Sequence, residues 1–204
     1  IVFNPYWNVP SGIEREEILP AIRRDPGYLA RENLEVVRGE SVVSPASVDW
    51  SAVGEGSGYR FRQRPGPDNA LGQVKFLFPN EYDIYLHDTP AKSRFSASQR
   101  AFSHGCIRLE KPDLLAQAVL GWDVARVREA MQNGADDQRV NLPSKIPVYI
   151  GYFTTYMRNG RLYFGNDLYH RDDDLIQAVA EGAVPRDPQL VSALESLRKF
   201  VVAE

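Results

Sequence analysis

The strongest constraint on the fold is a change of hydrophobic period at Tyr59. Before it the chain is helical and turn-rich. After it apolar and polar side chains alternate, the signature of half-buried strands. Tyr59 and Phe61 alternate with Arg60, Arg62 and Arg64, which places the arginines on one strand face. After a Pro/Gly/Asn loop over 64–69, residues 73–78 and 82–87 read as two more strands. In the second, Tyr82, Ile84 and Leu86 share one face, and Asp83, Tyr85 and His87 share the other. Burial of the apolar set turns Tyr85 and His87 together towards a site.

The flanking segments carry helix signals. Ser11-Gly12-Ile13-Glu14 has capping-box spacing and opens a short helix through Glu17 that meets Pro20. Asp25-Pro26 reads as the N-cap and first position of another, running through Tyr28 and Leu29 to Asn33 as C-cap. Residues 34–38 make a short strand, and 44–50 a loop closing on Trp50. Further on, Pro112 starts a helix with Leu114, Leu115, Ala118 and Val119 inward and Gly121 as its stop. A second covers 123–132 with Val124, Val127 and Met131 on one side. The β-branched and aromatic run 146–157 leads into Asn159-Gly160, a type I′ turn signal that predicts a hairpin back through Leu162 and Phe164. Asp187-Pro188 starts a last helix with Leu190, Val191, Leu194 and Leu197 inward. The sum is an α+β chain with a mostly β core, a helical excursion near the front and helices at the back.

Size and charge narrow the function classes. A chain of 204 residues holds one substantial domain, or a core with an inserted subdomain. A formal charge of −3 gives no broad basic field, which argues against nucleic acid as a partner. No apolar run is long enough to span a bilayer. One cysteine excludes an intramolecular disulfide; it fits a reducing compartment, and equally an exported enzyme that keeps one thiol. The strand-like start at Ile1 lacks the basic and apolar regions of a signal peptide, and the chain reads as a piece of a longer precursor.

The chemistry concentrates in two stretches, Tyr85-Leu86-His87-Asp88-Thr89-Pro90 and Ser103-His104-Gly105-Cys106-Ile107-Arg108. A thiol is a weak nucleophile until a base or cation helps it ionise. His87 at a strand end is placed to take that proton. Gly105 leaves the approach to sulfur clear, and a turn there can aim the N–H groups of Gly105 and Cys106 at a developing oxyanion. Arg108 adds a charge that favours thiolate or grips a substrate carboxylate. The plain alternative is an inert buried cysteine, but the polar, glycine-containing context argues against core packing. His104 reads as structural support, and His87, His104 and Cys106 form only a weak zinc-ligand set, without paired Cys or His spacing.

The hexapeptide 103–108, preceded by His87, resembles the signature of the YkuD-type L,D-transpeptidases. The resemblance extends through Asn4-Pro5-Tyr6-Trp7-Asn8-Val9-Pro10, Arg24-Asp25-Pro26-Gly27-Tyr28-Leu29, Val48-Asp49-Trp50, the stretch from Pro65 to Gly72 and Ile84-Tyr85-Leu86-His87-Asp88-Thr89-Pro90. These look like the large Gram-negative, YcbB-like branch, and weaken only beyond about Asp172. The resemblance implies a β-sandwich-like catalytic core at 1–10 and 65–170, an inserted capping subdomain at 11–64 and a C-terminal helical segment at 171–204. It carries the nucleophile onto Cys106, the general base onto His87, and the oxyanion donors onto the backbone of Gly105 and Cys106. The histidine is expected to be oriented by a main-chain carbonyl, with no triad role for the Asp88 side chain. Tyr85, His104, Arg108 and Trp50 are the expected substrate contacts. Tyr28, Trp50 and the arginines Arg60, Arg62 and Arg64 give the insertion the character of a lid over a carboxylate-bearing peptide. The implied substrates are peptidoglycan tetrapeptide stems in the periplasm, with carbapenems as inhibitors, other cell-wall enzymes as candidate partners, and neither metal nor organic cofactor. Such proteins carry further strands and a peptidoglycan-binding domain upstream, so more chain is expected before Ile1.

Overall fold

The computed structural model describes residues 1–54, 56–101, 106–174 and 177. Two compact units are distinguished, Ile1–Val148 and Tyr149–Glu204, and each is described by itself. The predicted helix after Asp187 lies outside the described residues, as does nearly all of the 171–204 segment.

The strands in chain order are β1 (Val2–Phe3), β2 (Trp7–Asn8), β3 (Leu34–Arg38), β4 (Ser41–Val43), β5 (Tyr59–Gln63), β6 (Val74–Phe76), β7 (Leu86–His87), β8 (Ile107–Arg108), β9 (Gln138–Arg139), β10 (Thr155–Arg158) and β11 (Arg161–Phe164). The first unit holds two sheets. One has the order β8-β7-β6-β1-β9 and is antiparallel except for the parallel pair β7 and β8. The other, β2-β5-β3-β4, is antiparallel throughout.

Alternation along β6 decides the faces of the first sheet. Val74 and Phe76 are buried with Phe3 against Ala116, Leu120, Val127 and Met131, which come from helices α1 (Pro112–Leu120) and α2 (Val124–Asn133). Each such fully buried apolar side chain stabilises the fold by roughly 1.5–3 kcal/mol. Helix α1 starts on Pro112 and stops at Gly121 with φ 68°, as its sequence predicts. Its inward face differs from the expected one: Ala116 and Leu120 are buried, while Leu114 and Ala118 are exposed. The long Trp122 ring, stacked on Phe3 with centroids 6.0 Å apart, shares the space beneath the sheet and rotates the contact stripe. Helix α2 follows its prediction, with Asp123 accepting from the Arg126 N–H and with Val127 and Met131 buried. Asn4, at φ 47°, donates to the carbonyls of Ala130 (3.1 Å) and Gly134 (3.0 Å), satisfying acceptors that the end of α2 leaves open.

The segment 11–64 is α+β rather than helical. Its core joins Ile18, Leu19, Ile22 and Leu29 from helical turns to Leu34, Val36 and Phe61 from the second sheet. The expected stop at Pro20 does not occur. A helical run continues through Ser11–Ile13, a π-helical turn Glu14–Ile18 and Leu19–Arg24. The wide turn absorbs the missing N–H of Pro20, which falls in the opening turn of the last piece. Glu14 forms no capping box. Its carboxylate accepts from the Phe61 N–H (3.0 Å) and Arg60 Nε (3.1 Å) across the subdomain. β3 and the left-handed Asn33 stand where predicted, and β4 completes an unpredicted hairpin.

Asn69, nominally a loop residue, joins the two cores. It is fully buried, donates to the carbonyls of Arg64 (2.8 Å) and Pro5 (3.2 Å), and accepts from the Leu71 N–H. In the second unit β10 and β11 pair as the predicted hairpin, turning on Asn159 and Gly160, both at positive φ. The expected strand run 146–157 is confined to Thr155–Arg158.

Candidate active site

The parallel pairing of β7 and β8 sets Leu86 beside Ile107 and His87 beside Arg108. The bonds Ile107 N–H to Tyr85 O (3.2 Å) and Leu109 N–H to His87 O (2.8 Å) fix this register. Side chains two apart on a strand share a face. The register therefore brings Tyr85, His87, Cys106 and Arg108 to one face of the sheet, opposite the helix-covered face. The expected long strand 82–87 is reduced to Leu86–His87 because Asp83 adopts φ 53°. Asn80 Oδ1 accepts from the N–H groups of Tyr82 and Ile84, and its amide donates to the Ile84 carbonyl, closing a turn just before Tyr85. Tyr82 is accordingly exposed rather than buried.

His87 is buried, and its Nδ1 lies 2.5 Å from the Asp88 main-chain carbonyl. With that carbonyl as acceptor, Nδ1 carries the hydrogen and Nε2 is left as the proton acceptor. Burial holds the imidazole below its ordinary pKa. The carbonyl contact and the Asp88 charge oppose the shift, while Arg108 and Lys92 add to it. The Tyr85 ring meets the imidazole edge-on, with centroids 5.9 Å apart. Its hydroxyl hydrogen-bonds Cys106, and burial followed by the Cys106 charge raises the phenol's pKa well above the usual value. Tyr85 is thus a persistent donor to sulfur. Arg108 is half-buried. Burial and Arg94 weaken its hold on its proton, whereas its attraction to Cys106 strengthens it.

Asp88 is not an acceptor for His87 Nδ1. Its buried carboxylate accepts from the Gln73 N–H (2.9 Å) and pairs with Lys92 Nζ (2.7 Å). Lys92 also donates to the carbonyls of Leu109 and Glu110, each at 2.9 Å, so one ammonium joins the segment after the base to the strand after the cysteine.

A cleft of about 680 Å³ opens beside Cys106. Lys75 lines it from β6, Phe78, Asn80 and Tyr85 from the chain between β6 and β7, and Tyr6, Asn8, Pro10 and Arg60 from β2, its neighbours and β5. Lys75 is the residue that sequence reasoning missed. The signal was present, as a lysine between two core positions on a strand whose opposite face had to be buried.

Trp50 does not line this cleft. It packs against the core of the insertion, stacked 6.2 Å from Phe61. Tyr28 packs there too, with Arg31 over its ring. Of the lid arginines, Arg60 pairs with Glu14, and Arg62 and Arg64 both pair with Glu35 at 2.7 Å. Their shared strand face is as predicted, but their charge is answered within the insertion. His104 and Gly105 lie outside the described residues.

The comparison with known families settles the class. Residues 1–150 match the YkuD L,D-transpeptidase catalytic domain, and the chain belongs to that family. A Haemophilus influenzae protein, named as a proposed L,D-transpeptidase, is similar at 38% identity over 178 residues, 84% of this chain. The aligned region is 36% of that relative, so this chain spans about a third of its length.

Proposed function

We propose that this chain is the catalytic part of a cysteine-dependent L,D-transpeptidase that forms 3→3 cross-links between peptidoglycan stems in the periplasm. The observation that carries the reading is the β7–β8 register, which aligns Tyr85, His87, Cys106 and Arg108 on one sheet face beside the cleft.

His87 Nε2 takes the thiol proton, while Tyr85 and Arg108 stabilise the sulfur anion. Cys106 Sγ attacks the carbonyl of the third, L-centred residue of a tetrapeptide stem. The N–H groups of Gly105 and Cys106 receive the oxyanion. Collapse breaks the peptide bond, and the imidazolium returns its proton to the departing D-alanine amine. The amine of a second stem then attacks the thioester, His87 removes its proton, and the thiol is regenerated. A carbapenem enters the same first step through its strained ring and stays on Cys106.

Incubation with a tetrapeptide stem and an amine-bearing acceptor stem, followed by mass spectrometry, tests this. The expected product is the cross-linked dimer, with D-alanine released. A hydrolysed tripeptide alone would make the protein a cysteine peptidase. No product, together with no carbapenem mass on Cys106, would make it a wall-binding module without catalysis.

A further inference from the structure

We infer that Lys75 is a carboxylate-binding residue of the acyl-donor site, placed to hold an anionic group of the stem peptide beside Cys106. The inference rests on the proposed function and specifies how that donor is recognised.

The placement follows from the sheet. Lys75 stands on β6 between Val2 of β1 and His87 of β7. Its neighbours Val74 and Phe76 are buried under the helices, so the lysine takes the opposite face, the one that carries His87. Its ammonium lies 3.5 Å from the Tyr6 carbonyl and 5.9 Å from the Tyr85 ring centroid. The first is a long hydrogen bond and the second a weak cation–π contact. Among the described residues, no carboxylate lies within ion-pair distance of this ammonium. Asp137 acts on it only from further away, against the repulsion of Arg139. Burial pushes the lysine below its ordinary pKa, the sign of a charge held without full compensation.

Of the neighbouring cations, Arg108 is attracted to Cys106, and three others have short ionic partners. Arg60, also on the cleft, is paired with Glu14. Arg62 is paired with Glu35, and Lys92 with Asp88. A half-buried ammonium without a counter-ion is costly to keep, whereas aliphatic side chains of similar length would pack on the same strand. A substrate carboxylate entering the cleft provides the missing partner. Asp83, which lines the same cleft, is exposed, whereas Lys75 is half-buried.

The test uses two alkylating reagents that differ only in charge. Iodoacetate carries a carboxylate and iodoacetamide its neutral amide; each forms an S–C bond at Cys106 and releases iodide. With the folded chain, iodoacetate should be favoured relative to a free thiol control. Lys75→Met should remove that preference by a factor on the order of ten, read as the ratio of the iodoacetate rate to the iodoacetamide rate so that any change in thiol reactivity cancels. Lys75→Arg should restore most of it. Thermal stability of Lys75→Met should hold or rise, because a poorly compensated charge has been replaced by an apolar chain; Lys75→Gln provides the same charge deletion without a hydrophobic side chain. In turnover, Lys75→Met should raise the donor KM about tenfold with a much smaller change in kcat. Two donor analogues locate the carboxylate: one with its terminal D-alanine amidated, one with lysine replacing the diamino diacid at position three. The analogue lacking the relevant group should be insensitive to Lys75→Met. An unchanged iodoacetate preference in both charge-deleted variants, or a Lys75 effect that survives in both analogues, overturns the inference. A lost reagent preference in a protein that turns over no stem peptide would retain the carboxylate site and remove the transpeptidase reading instead.

Discussion

At the scale of single residues, His87 and Cys106 should separate chemistry from folding. Cys106→Ala is expected to abolish product formation with an unchanged melting temperature, and His87→Ala to slow acylation by about 10²–10⁴ as for a lost general base; stopped-flow acylation by a carbapenem measures both. Tyr85→Phe removes a donor to a charged sulfur, a bond type contributing about 1.5–3 kcal/mol, so acylation should fall roughly ten- to hundredfold. The pH profile has a fixed sign. Neutral imidazole is the active base, and burial holds its pKa below 6.5. Activity should therefore persist as pH falls through 6.5 and decline only at the lower folded value, as a pH series of kcat/KM would record. The same shift makes protonation favour the unfolded chain, so stability should begin to fall as pH drops below about 6.5. Cys106 and His87 stood out in sequence as candidates because a lone thiol in a polar, glycine-containing stretch is chemically distinctive. The Tyr85 contact with sulfur was legible only as a shared face with His87. Lys75 and the packing role of Trp50 were not, since each depends on which surface the rest of the chain covers.

At the scale of elements, the site depends on how β7 and β8 are held, and the strands are too short to hold themselves. Two-residue strands have almost no periodicity, which is why β2, β8 and β9 could not be read from sequence and β1 only as a strand-like start, whereas β3 and α2 could. Side-chain ties replace ladder length. Lys92 links Asp88 to the Leu109 and Glu110 carbonyls, and Gly72, at φ 59°, makes room for Asp88. A Cβ at Gly72 would overlap the Asp88 carboxylate. Gly72→Ala should cost at least the ~1–2 kcal/mol of a left-handed non-glycine residue and reduce kcat as the segment after His87 shifts. Thermal melting and turnover on the same sample check this. The charge pair allows a sharper test. Lys92 lowers the His87 pKa and Asp88 raises it, so Lys92→Gln should move the acid limb of the pH–rate profile up and Asp88→Asn should move it down. Shifts in the same direction would refute the electrostatic assignment, because loosening alone has no such opposed signature.

At the scale of the molecule, the insertion and the catalytic sheet are not separable in the way a detachable lid would be. β2 lies at residues 7–8 yet pairs with β5, and Val9 is buried in the core of the insertion. Asn69 binds carbonyls on both sides of the junction. Excising 11–64 would strip the partners from the chain that leads into the cleft, so a single substitution is the better probe of the lid. Glu35, whose side chain is 9% exposed, accepts from both Arg62 and Arg64. Burial alone would raise its pKa, but the two guanidinium bonds outweigh burial and hold it below the ordinary carboxylate value. Glu35→Gln leaves the shape intact and removes the charge that answers both arginines. The pair is only partly buried, since Arg64 is 55% exposed, so the loss should be about 1–2 kcal/mol, less than breaking a fully buried ion pair. For a chain of this size that is a melting-temperature drop of roughly 3–6 °C. The donor KM should stay within about twofold of wild type, because the arginines serve the insertion's own structure. Were they instead the contacts for the donor's carboxylates, freeing both cations would tighten the donor and lower KM several-fold at low salt. Steady-state kinetics of the variant at two ionic strengths, beside its melting curve, decides between a subdomain that shapes the cleft and one that binds through its charge.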